Sequence, residues 1–139
     1  MLSSRFVVHI GWGDCDPQGI VYNPNYFDWF DRSVHALLGK SGFTIRKILR
    51  DFGIDGLPLV ETKVKFHSPC FYDDEIVVVT EVVKLHRCAF DLHHRILNGE
   101  KLAVEAFETR VCTAFDPEAG RVKAHPLPEI FATRLAADD

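Results

Sequence analysis

Residues 13–31 read GDCDPQGIVYNPNYFDWFD and hold the groups best suited to chemistry. Asp14 and Asp16 stand one residue apart, Asp16-Pro17-Gln18-Gly19 forms a turn, and Asn23-Pro24 opens an aromatic segment soon after. Taken alone, Asp-Pro commonly ends a strand in a solvated turn. Followed so closely by a helix start, the same turn presents a carboxylate beside free backbone N–H groups and the positive end of the helix. That pairing suits acyl transfer: the N–H groups bind a carbonyl oxygen as it becomes an oxyanion, while the carboxylate supplies a base or nucleophile. Pro24 has no N–H, so the first donor is the backbone N–H of Asn23, with the Asn23 side chain read as the helix cap. Losing one such donor typically costs about 2.7–4 kcal/mol of transition-state stabilisation.

Other chemically suggestive residues carry weaker patterns. Gly39-Lys40-Ser41 resembles the end of a phosphate-binding loop, but Val34 occupies the required first glycine position and the segment follows a helix. His93 and His94 are adjacent in a strand pattern and point to opposite faces, which is poor geometry for one metal ion, and His67 has no ligand motif around it. Cys15, Cys70, Cys88 and Cys112 are widely spaced, without a Cys-x-x-Cys pair, and are read as reduced core or strand residues. No metal site is expected.

The elements that must position Asp16 follow from periodicity. Residues 5–12, RFVVHIGW, alternate Phe6, Val8, Ile10 and Trp12 against Arg5, Val7, His9 and Gly11, which predicts a half-buried strand. After a loop at 13–22, a helix capped by Asn23, with Pro24 at its first position, runs to about Lys40 and stops at Gly42. Its apolar stripe is Tyr26, Phe27, Phe30, Val34, Leu37 and Leu38. A short amphipathic segment covers Thr44 to Asp51. Period-two alternation then marks strands at 60–67 and 75–85, and Asn98-Gly99 joins two long antiparallel strands within 88–115. Asp116 to Gly120 makes a further turn, and the tail from Pro126 adds a short helix. One apolar-faced helix with several antiparallel strands indicates an α+β domain whose sheet the helix covers. A single helix covers limited area, so the remaining face and edges call for a partner copy.

Composition sets the context. The 139 residues fit one domain, 1–139, large enough for a genuine core. Hydrophobic residues at 47% and charged residues at 26% exclude a disordered chain. A formal charge of -4 offers no general attraction for a phosphate backbone, which argues against a nucleic-acid partner. No secretion signal or membrane-length apolar run is read, so a cytoplasmic location is expected.

The run DCDPQGIVYNPNYFDWFD is similar to the signature of the hotdog-fold acyl-CoA thioesterases, particularly the 4-hydroxybenzoyl-CoA thioesterase branch with its Asp-Pro-x-Gly-Ile-Val and Pro-Asn-Tyr elements. Pro58, Val60, FYDDEI at 71–76 and the basic Lys84 to Arg87 segment occur in similar order, so the resemblance covers most of the chain. It implies a long central helix packed on a curved, mostly antiparallel sheet. It also implies that Asp16 is the catalytic carboxylate, that Asn23 contributes the oxyanion-binding N–H, and that Gly19 shapes the turn. Members of the family usually carry Tyr or His where Asn23 stands, a departure that leaves the backbone role intact.

Direct attack by Asp16, giving an acyl-enzyme anhydride, and activation of water by Asp16 both remain open. A thiol with a pKa of about 8.5 leaves as thiolate without a dedicated acid. Asp31 stands where the benzoyl branch has Asp and many aliphatic-acyl relatives have Glu, and would meet a phenolic hydroxyl. Tyr26 and Trp12 are candidates for an aryl pocket, while Lys84 and Arg87 are candidates for the nucleotide phosphates. In the family the site lies between subunits, which implies a homodimer or homotetramer. Coenzyme A is part of the substrate, and no separate cofactor is implied. The preferred substrate is 4-hydroxybenzoyl-CoA or a related aryl-CoA; a short-chain aliphatic acyl-CoA is the alternative. A noncatalytic module binding acyl-CoA or acyl-carrier protein would use the same groove. A hotdog dehydratase would need a placed His, and none lies in this loop.

Overall fold

A computed structural model describes residues 1–138. Strands β1 (Ser3–His9), β2 (Leu59–Phe66), β3 (Glu75–Leu85), β4 (Ala89–Asn98) and β5 (Lys101–Val111) form one antiparallel sheet in the order β1-β3-β4-β5-β2. Helix α1 (Pro24–Ser41) packs on one face of this sheet, joined by α2 (Ile45–Phe52) and, after the hairpin β6 (Thr113–Asp116) and β7 (Arg121–Ala124), by α3 (Glu129–Ala136). This is the hotdog fold. The core lies between sheet and helices, where Val34, Leu37 and Leu38 of α1 meet Val82, Phe90 and Leu92, and Phe30 meets Ile76, Val78 and Ile96. β4 alternates between intermediate and buried positions along its first eight residues, as a strand with one covered face must.

The local signals set most boundaries. Gly42 closes α1 at φ 85, a left-handed conformation that glycine adopts without a Cβ clash. Thr44 caps α2 by accepting the Lys47 N–H at 3.3 Å, and Gly53 ends it at φ 65. The β4–β5 hairpin turns at Gly99-Glu100, with Asn98 paired to Lys101.

Three expectations need correction. The first strand ends at His9, short of Trp12, because Gly11 donates its N–H to the Asp14 carboxylate at 2.9 Å and residues 12–14 coil into a 3-10 turn. The apolar stripe of α1 includes buried Trp29 and Ser33, whereas Phe27 is 42% exposed. Counting apolar residues alone missed Ser33, which is buried because it has a polar partner across the interface. Finally, the Asn23 side chain makes no capping bond: the residue has helical angles, φ -47 and ψ -42, instead of the extended ones a cap requires. The turn begins earlier, with the Tyr22 carbonyl accepting the Asn25 N–H at 2.9 Å.

Candidate active site

Hydrogen bonds from both sides hold the Asp16 loop. The Asp16 N–H donates to the Ile20 carbonyl at 2.9 Å and the Gly19 N–H to the Asp16 carbonyl at 2.9 Å. Asp16 Oδ1 accepts the Gln18 N–H at 2.8 Å, an Asx-type turn that orients the carboxylate. Asp16 Oδ2 has no partner among the described residues. Gly19 sits at φ 80, and its carbonyl accepts the Tyr72 N–H at 3.1 Å. A Cβ at Gly19 would meet nothing within 4 Å, so the demand for glycine comes from the backbone angle.

One atom brings this loop to the helix. The Asp14 carbonyl accepts both the Tyr22 N–H at 2.9 Å and the Asn25 side-chain amide at 2.7 Å, tying the stretch before Asp16 to the first residues of α1. The polar side chain that fastens the helix end is therefore Asn25, not Asn23. The Asn23 N–H makes no hydrogen bond among the described residues, and Pro24 beside it has no N–H to offer. Asn23 opens into a concavity of about 410 Å³ walled by Ile20, Val21, Tyr26, Phe66 and His67. Asn23 thus combines an unbonded N–H at the helix start with a place on the lining of a partly apolar hollow, and a free donor at a helix start is the kind of group an oxyanion site needs.

The other sequence-derived residues fall in different places. Tyr26 is buried between Trp29 and Phe66, at centroid distances of 5.5 and 5.8 Å, and its hydroxyl accepts the Cys70 N–H at 3.4 Å. Burial pushes the Tyr26 phenol up from its ordinary value, so it stays protonated. Tyr26 thus contributes a wall of the hollow. Trp12 is 66% exposed, packs edge-to-face on Tyr72 at 5.3 Å, and lies in a separate cleft with His9 and Asp73.

Asp31 is on the outer side of α1. Asn23, Phe27 and Asp31 recur every fourth residue along one exposed strip of the helix. Asp31 Oδ1 accepts from Arg110 Nη2 at 3.1 Å, and Oδ2 lies 3.5 Å from His35 Nε2. Sequence reading missed Arg110 and the Glu108 behind it. Their signal was a carboxylate at a core-facing position of a strand, two residues from Ala106 on the same face.

Lys84 and Arg87 lie at the β3–β4 turn, both exposed. The segment before β3 borders the Asp16 loop through the Ile20–Phe71 bridge. The eleven residues of β3, at about 3.3 Å each, separate the two ends by roughly 33 Å. Asp16 and Arg87 therefore lie toward opposite ends of β3.

A profile of the thioesterase-like superfamily matches residues 10–135. The chain belongs to that superfamily. This thioesterase is 33% identical over 125 residues to 4-hydroxybenzoyl-CoA thioesterase of Pseudomonas sp. strain CBS-3, covering 86% of this chain and 87% of the relative. Its fold superposes on a variant of 4-hydroxybenzoyl-CoA thioesterase complexed with 4-hydroxybenzoyl-CoA at a TM-score of 0.88 and 28% identity, covering 98% of this chain and all of that one. It also resembles a gentisyl-coenzyme A thioesterase, with a TM-score of 0.82 and 27% identity over 96% of this chain and 100% of that chain. The chain is thus an enzyme of the thioester-hydrolase kind, within a group whose members act on acyl-CoA thioesters. No helix among the described residues is long and apolar enough to cross a membrane.

Proposed function

We propose that this thioesterase hydrolyses a hydroxyaryl-CoA, 4-hydroxybenzoyl-CoA or a close relative, to the free acid and coenzyme A. The thioester carbonyl oxygen accepts the Asn23 N–H, and the unpaired Asp16 Oδ2 attacks the carbonyl carbon or takes a proton from the water that does. Charge developing on the oxygen strengthens the Asn23 bond in the transition state, and the thiolate departs without a proton donor. Gly19 keeps the turn that presents Asp16.

The observation that carries the substrate class is the helix strip from Asn23 to Asp31. Eight residues at 1.5 Å rise separate these positions by about 12 Å along the axis. A 4-hydroxybenzoyl group spans about 6 Å from carbonyl to phenol oxygen by standard covalent dimensions. Adding a hydrogen bond of about 2.8 Å at each end brings the total to about 12 Å. Phe27, midway and half-exposed, offers the ring an apolar neighbour. Relatives named for 4-hydroxybenzoyl-CoA and gentisyl-CoA support the same class.

The site is completed by a second copy of the chain, in a homodimer or homotetramer. Edge strand β2 supports this reading: its outer edge pairs with no strand among the described residues, and Leu59, Val60 and Phe66 are 44%, 58% and 50% exposed. Lys84 and Arg87 from another copy then meet the coenzyme A phosphates, since within one chain they lie at the end of β3 away from the Asp16 loop.

Thiol release from a panel of aryl and aliphatic acyl-CoA esters, with wild type and Asp16→Asn in parallel, tests the proposal. Asn keeps the Oδ1 acceptor for the Gln18 N–H, so the variant folds, and kcat should fall by about 10²–10⁴. Butyryl-CoA outpacing every aryl-CoA would defeat the substrate assignment, and undiminished turnover by Asp16→Asn would defeat the mechanism.

A further inference from the structure

One buried polar chain lies outside the machinery described above and ends on it. Beneath α1, Ser33 Oγ and Thr80 Oγ1 share a hydrogen bond of 2.5 Å, and Thr80 Oγ1 meets His94 Nδ1 at 2.7 Å. Phe30 stacks on the His94 ring at 4.9 Å. On the ring's other side, Nε2 lies 3.3 Å from Glu108 Oε1, a contact too poorly aligned for a hydrogen bond. Glu108 Oε1 accepts Arg110 Nε at 2.9 Å. Arg110 Nη2 then donates to Asp31, while Nη1 reaches the Leu57 carbonyl at 3.5 Å. Side-chain exposure rises along the chain, from 0% at His94 through 4% at Glu108 and 12% at Arg110 to 52% at Asp31.

An ordinary surface ion pair would not hold a carboxylate still, because both side chains are long, solvated and mobile. Arg110 differs. Its planar guanidinium is anchored at Nε by a carboxylate buried under the helix, and swinging away would leave that charge unpaired in the core. One edge of the guanidinium is therefore fixed where it meets Asp31 Oδ1. A carboxylate has about four lone-pair sites, so with Arg110 Nη2 on Oδ1 and His35 Nε2 3.5 Å from Oδ2 the Asp31 carboxylate is biased in orientation and keeps acceptor capacity for an incoming donor. The three core-facing polar groups Ser33, Thr80 and His94 tie α1 to β3 and β4 at the same level, holding the helix that carries Asp31.

We propose that Arg110, anchored by Glu108, is a positioning residue that determines specificity. It orients the Asp31 carboxylate to accept the hydroxyl of a hydroxyaryl-CoA. This inference rests on the assignment of Asp31 to that hydroxyl and extends it to two residues on a different element, neither of which need touch the substrate.

The test measures kcat and KM for 4-hydroxybenzoyl-CoA and benzoyl-CoA in wild type, Asp31→Asn, Arg110→Lys, Glu108→Gln and the Asp31→Asn/Arg110→Lys double variant. The readout is the ratio of kcat/KM for the hydroxylated ester over the unsubstituted one. Wild type is expected to prefer the hydroxylated ester, and Asp31→Asn and Arg110→Lys should each lower the ratio by about tenfold, the scale of one charge-assisted hydrogen bond. The double variant should be no lower than either single, because both remove the same interaction. Glu108→Gln keeps an acceptor for Arg110 Nε and is the second variant should Arg110→Lys fold poorly; it should lower the ratio by about threefold. A wild type with no preference overturns the assignment of Asp31 and the present inference with it. A wild-type preference lost in Asp31→Asn but retained in folded Arg110→Lys and Glu108→Gln leaves that assignment standing and overturns the positioning role. Losses equal for both esters, or multiplying in the double variant, assign Arg110 and Glu108 to structure alone and overturn it likewise.

Discussion

Replacing Asn23 with proline removes the backbone N–H proposed to bind the oxyanion, together with the Asn23 side chain. Asn23 has φ -47, near the value of about -65° that the proline ring imposes. Its N–H has no partner among the described residues and its side chain makes no capping bond, so no folding interaction is lost with either. Asn23→Ala is the matched control, since it removes the same side chain and keeps the N–H. Loss of a single oxyanion donor costs about 2.7–4 kcal/mol, or about 10²–10³ in kcat. The expected result is an Asn23→Ala enzyme within a few-fold of wild type and an Asn23→Pro enzyme at least about a hundredfold slower. The assay is thiol release from saturating 4-hydroxybenzoyl-CoA. Circular dichroism and thermal melts should accompany it, because a proline at 23 also restricts Tyr22. A folded Asn23→Pro enzyme turning over at the rate of Asn23→Ala would refute the role of this N–H, and the oxyanion site would have to be sought elsewhere.

Gly19→Ala should lower stability by about 1–2 kcal/mol in urea unfolding, because the left-handed angle is retained while the surrounding space is open; an unchanged midpoint would show that the turn relaxes at no cost. Glu108→Ala should cost about 3–5 kcal/mol by leaving Arg110 beside an emptied core position, and a loss below about 1 kcal/mol would mean that the buried pair does not contribute as a unit. Acid should weaken the fold through the same group. Burial pushes the Glu108 carboxyl up, but the neighbouring His94 ring and Arg110 guanidinium outweigh it and hold the group below its ordinary 4.5. Asp91 is likewise held below 3.8, burial being outweighed by Thr109 and His86. Groups depressed in the folded state contribute stability above their unfolded pKa and lose it as pH falls through the folded value. Urea midpoints should therefore decline below about pH 4, and Glu108→Gln should flatten that decline.

Short-range patterns were legible without coordinates. Glycine and proline mark the loop, the α1 terminus and the hairpin because their allowed backbone angles are properties of single residues. Strand alternation located β3, β4 and β5 for a similar reason, since a covered face repeats every second residue. The order of Asp16, Gly19 and Asn23 likewise pointed to a carboxylate near a helix start. The failures occurred where one-dimensional signals compete. Asn23-Pro24 looks like a cap, yet the bond that ties the helix end to the loop comes from Asn25, whose partner lies eleven residues back. Trp12 continues an alternation that the Gly11–Asp14 hydrogen bond interrupts. Ser33 interrupts an apolar stripe, yet is buried because Thr80, 47 residues away, satisfies it. Asp31 by sequence is one acid on a helix surface; only folding brings it to Arg110, 79 residues away, with Glu108 behind. Local sequence determined which elements form and where the loop carboxylate sits, because backbone preferences act over a few residues. Tertiary structure decided which polar groups became partners, because a buried charge must be paired by whatever the packed sheet and helix bring beside it.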